Sequence, residues 1–442
     1  MITFKIAFRN VWKNWRQSVA SVVSVSAAFL TLALFQGYLL DVEGLFSSIY
    51  RHRAMFGDAM VEHRDLYTPE GRSEPWKHLI DSKSQKFIQD FVERNSDLVT
   101  TRVRFLKTSG LATNGKTSVI FAGVGYDLAE GLQMRGSRWG WNALYGQTLE
   151  ASQNSAGIVI GQTMATLFGC QPLAKRTVSS FLDPVEGRKI GFSCEGDQTS
   201  LQLSGATQDG QLNAIDSQIV GFVDGGFKDI DGRYVMMSLE NAQILAGTSG
   251  VTYETFLLKS PNLAREFNEK FQKEADALNL PLKFQTWKVH PYYGDAFIRS
   301  MELLALFRNF VVVIVLTIAT LSVLNTLIKV VNERTREIGT LRSLGYRKFQ
   351  ISQIFVFEAA GLALLGNGVG ILGAIIISLL INHSGLVYKA GMFVEPAPLT
   401  VAIDLKIYLA SFLYLSMLAV LAALVALRLT LKRKVSENLC YA

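Results

Sequence analysis

Charge is what this chain has least of. Asp, Glu, Lys and Arg make up 18% of its 442 residues, against 49% hydrophobic residues, whereas an average soluble domain is about 25% charged. That balance excludes an ordinary water-soluble enzyme and points to a membrane protein. Cysteine is scarce too. The three are Cys170, Cys194 and Cys440, too few for a disulfide scaffold, although Cys170 and Cys194 fall in one segment and could either bridge or stay as buried thiols. The five histidines are scattered without metal-ligand spacing, so no metal site is expected.

What is present in quantity is long apolar runs. Crossing a hydrocarbon core takes about 20 apolar residues, and four stretches qualify, at 17–41, 304–330, 351–382 and 405–428. The first is too long for a cleaved signal peptide and lacks a small-x-small site, so it is expected to remain as a span. The formal net charge of +7 could suggest nucleic acid, but its distribution argues otherwise. Lys5, Arg9, Lys13 and Arg16 stand in the first sixteen residues without an acid. Lys329, Arg334, Arg336, Arg342, Arg347 and Lys348 face only Glu333 and Glu337 between the second and third runs, and Arg428, Lys432, Arg433 and Lys434 face only Glu437 in the tail. These segments hold more than the whole excess. Such clustering beside spans is the positive-inside signal. It predicts both termini and residues 331–350 in the cytoplasm, with 42–303 and 383–404 outside.

Residues 1–16 space Phe4, Phe8, Val11, Trp12 and Trp15 at helical intervals beside the basic residues, the pattern of an amphipathic helix on the cytoplasmic leaflet, with a partner-binding helix as the competing reading. The outside segment 42–303 interleaves strand-like runs (TRVRFLKTSG, TSVIFAGVG, GIVIG, QLNAIDSQIVGFVD, RYVMMS) with helical ones (DSKSQKFIQDFVERN, NLAREFNEKFQKEADALN). This predicts an α+β domain with helical stalks leading from the first span and into the second.

Within that domain GLATNGKT, residues 110–117, satisfies the phosphate-loop pattern G-x-x-x-x-G-K-[ST]. LSGATQ at 203–208 and the run ending at Asp224 look like further pieces of an ABC ATPase. A working phosphate loop needs a helix after its lysine, whose N-terminal N–H groups hold the phosphates. Here TSVIFAGVG follows, a strand pattern, and Asn114-Gly115 favours a two-residue type I′ hairpin turn. The motif is therefore expected to be a hairpin tip, on the side of the membrane where ATP is scarce.

The inside loop NERTREIGTLRSLGYRKFQI is more informative. From Glu333 to Leu344 it reads as a short helix with Ile338, Leu341 and Leu344 along one side, stopped by Gly345 as a C-cap. A helix that short is unstable alone, so its apolar stripe must rest on something. ERTREIGTLRSLGYRKFQI, followed by a span containing FEAAGLALLGNGVGILGA, resembles the FtsX-like/MacB-type (type VII) ABC transporter permease family. The outside sequences GIVIGQTMATLFG and SQIVGFVDGGFKDIDGRYVMMSLENAQILAG resemble that family's periplasmic domain, most of all in its lipoprotein-releasing LolC/LolE branch.

The resemblance implies an integral membrane protein of the bacterial inner membrane, with four transmembrane α-helices and a MacB-like periplasmic domain between spans 1 and 2. It implies a non-catalytic subunit that binds no cofactor and pairs with a second permease copy or paralogue. Two ABC ATPase subunits would hold the ATP and magnesium. Glu333, Arg334, Arg336, Glu337, Ile338, Leu341, Arg342, Leu344 and Gly345 would be the ATPase-coupling element, and Glu358 matches a glutamate common near the start of span 3. Gly361, Gly366, Gly370 and Gly373 offer small faces for helix packing. The family's usual proline after span 4 is missing from AALVALRLTLKRKVSENL, which predicts a straighter helix there. The implied function is ATP-driven mechanical movement of the periplasmic domain to extract or export lipoproteins, lipids, peptides or amphiphiles. The alternative is a mechanotransmission complex that activates an outside partner such as a cell-wall hydrolase.

Overall fold

In the computed structural model, residues 15–139, 144–174, 190–225, 228–333, 339–340, 343–388 and 397–431 are described. The chain divides into two units. One comprises Met1–Gly44, Ser300–Leu386 and Leu399–Ala442, the other Leu45–Arg299 and Val387–Pro398. The longer helices, in chain order, are α1 (Trp15–Ser48), α2 (Ser82–Arg94), α3 (Leu128–Trp139), α4 (Leu239–Ala246), α5 (Ala264–Ala277), α6 (Tyr293–Glu333), α7 (Lys348–His383) and α8 (Leu405–Leu431).

Among the described residues four helices are long and apolar enough to cross a membrane, corresponding to α1, α6, α7 and α8. Two of them outrun the apolar stretches that announce them: α1 continues to Ser48, and α6 already begins at Tyr293. Helical hydrogen bonding carries on through these more polar ends because nothing in DVEGLFSS or YGDAFIRSMELL breaks it. Likewise α8 runs to Leu431 without a break, as the missing proline implies. The expected amphipathic helix 1–16 lies outside the described residues, apart from Trp15 and Arg16, which open α1.

The second unit is built on strands β1 (Ala59–His63), β2 (Val99–Thr113), β3 (Ser118–Tyr126), β4 (Tyr145–Gly146), β5 (Gly157–Gly161), β6 (Cys170–Pro172), β7 (Phe192–Cys194), β8 (Ser200–Ala206), β9 (Leu212–Val223), β10 (Tyr234–Ser238), β11 (Tyr253–Leu258) and β12 (Leu282–Gln285). The main sheet runs β12-β1-β11-β2-β3-β10-β5-β9-β4, and β8 joins β9 back to β2. The pairing β2-β3-β10-β5-β9-β8 thus closes on itself. Closure removes the free edges that an open sheet would expose. Helix α4 packs against β2, β3, β8, β9 and β10 of this ring, burying Leu239, Ala242 and Leu245.

The long strand β2 serves two layers. Its first half pairs with β11 through Val99–Phe105, and its second half leaves β11 for β8 at Gly110. Helices α2 and α5 build a second packing layer. Asp81 caps α2 by accepting from the Ser84 amide at 2.8 Å, and Ile88 and Phe91 share its buried face. Phe267 and Phe271, one turn apart on α5, meet Phe91 edge-on with ring centroids 5.4 and 5.2 Å away. Each such edge contact adds about 0.5–1.5 kcal/mol to the burial of the rings themselves.

Candidate functional site

Two of the three nucleotide-like motifs resolve into a single β ladder, while the third is the end of β9 and the Asp224 that follows it. Gly110 pairs with Gly205, Leu111 with Ser204, Ala112 with Leu203 and Thr113 with Gln202, so GLATNGKT and LSGATQ lie side by side. Gly110 is required by this approach, because a Cβ there would stand 1.9 Å from the Ser204 carbonyl oxygen. After Lys116 comes β3, not a helix, so no row of N-terminal amides faces the glycines. The tip itself differs from the expected turn. A type I′ turn would put both central residues at positive φ, yet only Gly115 has it, at 84°. The side-chain oxygen of Asn114 accepts from the amides of Lys116 and Thr117 at 3.0 and 2.8 Å, and this local bonding takes the chain round over four residues between the paired Thr113 and Ser118. Lys116 is exposed. Replacing it with alanine is expected to change the thermal midpoint by no more than about 0.5 kcal/mol equivalent, as for exposed side chains away from packed features; a larger drop on thermal unfolding would contradict this.

The helical unit is held by small residues and a few polar contacts. On α7 a Cβ at Gly366 would lie 2.7 Å from Val25 Cβ, and one at Gly370 would lie 2.7 Å from Phe29 Cβ, both on α1. Gly373 faces Leu30 on the same helix, at 3.3 Å, whereas Gly361 meets nothing within 4 Å. The close approach lets Ser26 donate from Oγ to the Gly366 carbonyl at 2.8 Å. Ser24 and Ser322 join α1 to α6 at 2.7 Å, and buried Asn367 donates to Ser416 Oγ on α8 at 3.0 Å. Glu358 is 3% exposed, so it sits inside the helical unit and does not reach outward from it.

Of the expected coupling residues, Glu333 ends α6, whereas Arg334, Arg336, Glu337, Ile338, Leu341 and Arg342 lie outside the described residues. The remainder has the geometry of a helix end. Ser343 Oγ donates to the Gly339 carbonyl at 3.0 Å, and the Leu344 amide donates to the Thr340 carbonyl at 3.0 Å. Gly345 then turns the chain at a φ of 89°, the left-handed conformation that ends helices at little cost only in glycine. Leu344 is 72% exposed and Phe349 71%. Beside them Val330, Val331, Ile351, Phe355 and Leu427 form a small core that ties α6, α7 and α8 together where the loop leaves and re-enters. Leu344 and Phe349 thus present apolar side chains next to a packed helix junction.

The α+β unit holds a groove of about 1220 Å³, lined by Phe105, Val124, Tyr234, Met236, Tyr253 and Tyr293 among others. The ammonium of Lys107 lies over the rings of Tyr253 and Tyr293, 5.3 and 5.1 Å from their centroids, where the negative face of each ring attracts it. Arg72 stands 5.7 Å over Tyr292. Burial pushes the hydroxyls of Tyr253, Tyr234 and Tyr67 up, so they stay neutral at any physiological pH.

Beneath the groove the Glu62 carboxylate accepts from Tyr67 at 2.9 Å, from Gln285 at 2.7 Å and from His290 Nε2 at 3.1 Å. His290 Nδ1 accepts the amides of Tyr292 and Tyr293 at 3.1 and 3.2 Å. Its ring hydrogen therefore sits on Nε2. With Glu62 and His290 fully buried at its centre, this network fixes three of the tyrosines around the groove.

Two further placements concern the scarce residues. Cys170 and Cys194 are register partners across β6 and β7 and form a disulfide, while Cys440 lies outside the described residues. The histidines are less scattered than their spacing suggests, since the rings of His63 and His78 are 4.9 Å apart. Sequence reasoning missed the groove, the Glu62 network and this histidine pair, because each is assembled from segments far apart in the chain.

Residues 309–435 match the family model for the FtsX-like permease C-terminal domain. The chain is 32% identical over 112 residues to the macrolide export ATP-binding/permease protein MacB of Burkholderia thailandensis, a match covering 24% of this chain and 17% of that protein. It is 34% identical over 100 residues to the probable syringafactin export ATP-binding/permease protein SyfD of Pseudomonas syringae pv. syringae, covering 22% and 15%. The chain thus spans about a sixth of the length of these curated relatives. The periplasmic region of MacB from Actinobacillus actinomycetemcomitans aligns over 57% of this chain and 95% of its own, with 10% identity and a TM-score of 0.32.

Proposed function

We propose that this FtsX/MacB-type permease is the membrane subunit of an ABC transporter of the bacterial inner membrane, both of its termini cytoplasmic, and that ATP bound elsewhere drives mechanical movement of its α+β domain. The observation that supports the reading is the approach to α7, where Leu344 and, on α7 itself, Phe349 are exposed beside the small core that ties α6, α7 and α8 together. A partner ABC ATPase is the occupant the family resemblance implies. GLATNGKT is a strand end and hairpin turn, so it gives ATP no phosphate cradle, in keeping with a nucleotide held by the partner ATPase. Two ATPase subunits would serve a pair of permeases, either two copies of this chain or this chain and a paralogue.

Helices α1 and α6 each pass unbroken from the apolar unit into residues of the α+β unit. A stiff helix transmits tilt and axial shift along its whole length, so closure of the ATPases on the loop would move the attached domain. The cargo class is a lipoprotein, lipid, peptide or small amphiphile taken from the outer face of the inner membrane or from the periplasm. Export as the direction of work is supported by the relatives named for macrolide and syringafactin export. The aromatic groove with a lysine at its wall suits a molecule with an apolar body and a polar or anionic end.

The test is to co-purify the chain with its cognate ATPase and to identify by mass spectrometry what stays bound. Val124→Trp, which fills the groove wall, is expected to cut recovered cargo at least about tenfold, a loss of about 1.4 kcal/mol of binding, with the thermal midpoint and ATPase association unchanged. Undiminished cargo in that variant would remove the groove from the account.

A further inference from the structure

We propose that His63, His78 and Asp65 bind a divalent cation of the Zn²⁺ class. Each residue offers one donor atom, and the three atoms lie within 4.8 Å of one another. Two imidazoles and a carboxylate are a ligand set of borderline cations such as Zn²⁺, and three protein ligands leave a fourth position for water. Donors on one tetrahedral ion at about 2.0–2.1 Å stand about 3.4 Å apart. Closing from the observed spacing asks for small side-chain rotations. The Asp65 carboxylate, 52% exposed, is free to make most of that movement.

The backbone on either side is already fixed. His63 ends β1 opposite Leu282 of β12, and the next amide, of Arg64, donates to the Pro281 carbonyl at 2.7 Å. His78 follows a 3₁₀ turn over Pro75–Lys77, and two residues later the Ile80 amide donates to the Val251 carbonyl at 2.8 Å. The rings are thus brought together by sheet pairing and not by each other. His78 Nδ1 is buried and has no hydrogen-bond partner among the described residues, although buried polar atoms are nearly always satisfied. His63 Nδ1 accepts the Asp65 amide at 3.2 Å and faces the Asp65 carboxylate at 3.9 Å.

The surrounding charges leave room for a cation. Arg64, the nearest in sequence, is drawn away to Asp276 at 2.6 Å, and Lys77 is paired with Glu74 at 2.7 Å. Asp81 adds a nearby carboxylate whose oxygen already caps α2, so it contributes field and not a ligand. The site would clasp the segment between its ligands. That segment supplies Gly71, Arg72, Pro75 and Trp76 to the wall of the groove, so an ion here would stiffen one side of it.

The experiment uses the full-length chain in detergent, with any affinity tag removed and metal stripped by chelator, then dialysed against buffered free Zn²⁺ and analysed by plasma mass spectrometry. The expected result is one Zn²⁺ per chain, visible d–d bands when Co²⁺ replaces it, and a thermal midpoint that rises with Zn²⁺ by mass action. His63→Ala and Asp65→Asn should each weaken Zn²⁺ binding at least about tenfold and abolish the midpoint shift, while His383→Ala should bind as the natural chain does. Asp65→Asn keeps an exposed side chain of the same size, so it decides the matter even if His63→Ala misfolds. Less than stoichiometric Zn²⁺ in the natural chain, or equal affinity in Asp65→Asn, would overturn the proposal. Neither result depends on the identity of the transported cargo.

Discussion

Replacing Gly370 with leucine is expected to separate α1 from α7 and to leave little folded protein. A first added carbon would already stand 2.7 Å from Phe29 Cβ and 3.0 Å from its ring, and Phe29 is fully buried. Neither side can yield cheaply, because the clash is with the root of the side chain and not its flexible end. Overpacking a tight interior site costs about 1–3 kcal/mol. Here four added carbons must also force apart a helix pair held by the Ser26 to Gly366 hydrogen bond, so the effect should lie at or above the top of that range. Gly366→Leu should behave alike, against Val25. Gly361→Leu is the control, since its Cβ would meet nothing, and its midpoint should change by no more than about 0.5 kcal/mol equivalent, as for substitutions away from packed features. Thermal unfolding of the detergent-solubilised chain, followed by tryptophan fluorescence, separates the cases. Equal midpoints for Gly361→Leu and Gly370→Leu would mean that α1 does not pack on this face.

The second large effect is expected at Leu344. An exposed leucine at an anchored helix end loses little on its own chain when replaced by aspartate. In a closed, desolvated contact with a partner, the same change removes an apolar anchor of about 1.5–3 kcal/mol and adds a buried charge without a partner, which costs several kcal/mol more. Association with the cognate ATPase should therefore fall by at least about a hundredfold, near 2.7 kcal/mol, with the thermal midpoint of the permease alone unchanged. Pairing the change with Arg342→Glu, which reverses a basic residue of the same loop, should deepen the loss. Surface plasmon resonance against the ATPase in detergent gives the affinity, and undiminished binding by Leu344→Asp would place the contact elsewhere.

What could be read in advance follows from how local each feature is. A span is a run of about 20 apolar residues, a property of contiguous sequence, so all four were visible; the helical continuations of α1 and α6 were legible instead from the absence of a helix breaker in the more polar residues that flank those runs. The glycine stripe was only half read. At about 100° per residue, Gly366, Gly370 and Gly373 share one face of α7 while Gly361 points well away, so the periodicity already held the distinction that the contacts with α1 draw. The hairpin of β2 and β3 was legible from a turn between two strand patterns. Its turn geometry was not, because the Asn114 side chain competes with the backbone for the same amides.

The closed strand ring rests on pairing of β8 with both β2 and β9, and no local pattern encodes which distant strands will meet. The groove, the Glu62–His290 network and the His63–His78 pair share that origin. In each, residues from the start of the α+β unit meet residues that come much later, or a turn folds back on a strand end. The residues proposed for coupling are the reverse case: their types and order were readable through a family likeness, although most of them lie outside the described residues.

If ATP acts on this chain from another polypeptide, the segment after α6 should touch that polypeptide. A single cysteine placed at Leu344, with Cys440 replaced by serine, tests it most directly in the assembled complex by thiol cross-linking. The expected result is a cross-link from Leu344→Cys to the ATPase subunit whose yield changes when ATP is trapped, and none from Lys116→Cys on the exposed hairpin tip. A cross-link from the hairpin tip, or none from Leu344 in a complex that still hydrolyses ATP, would contradict it.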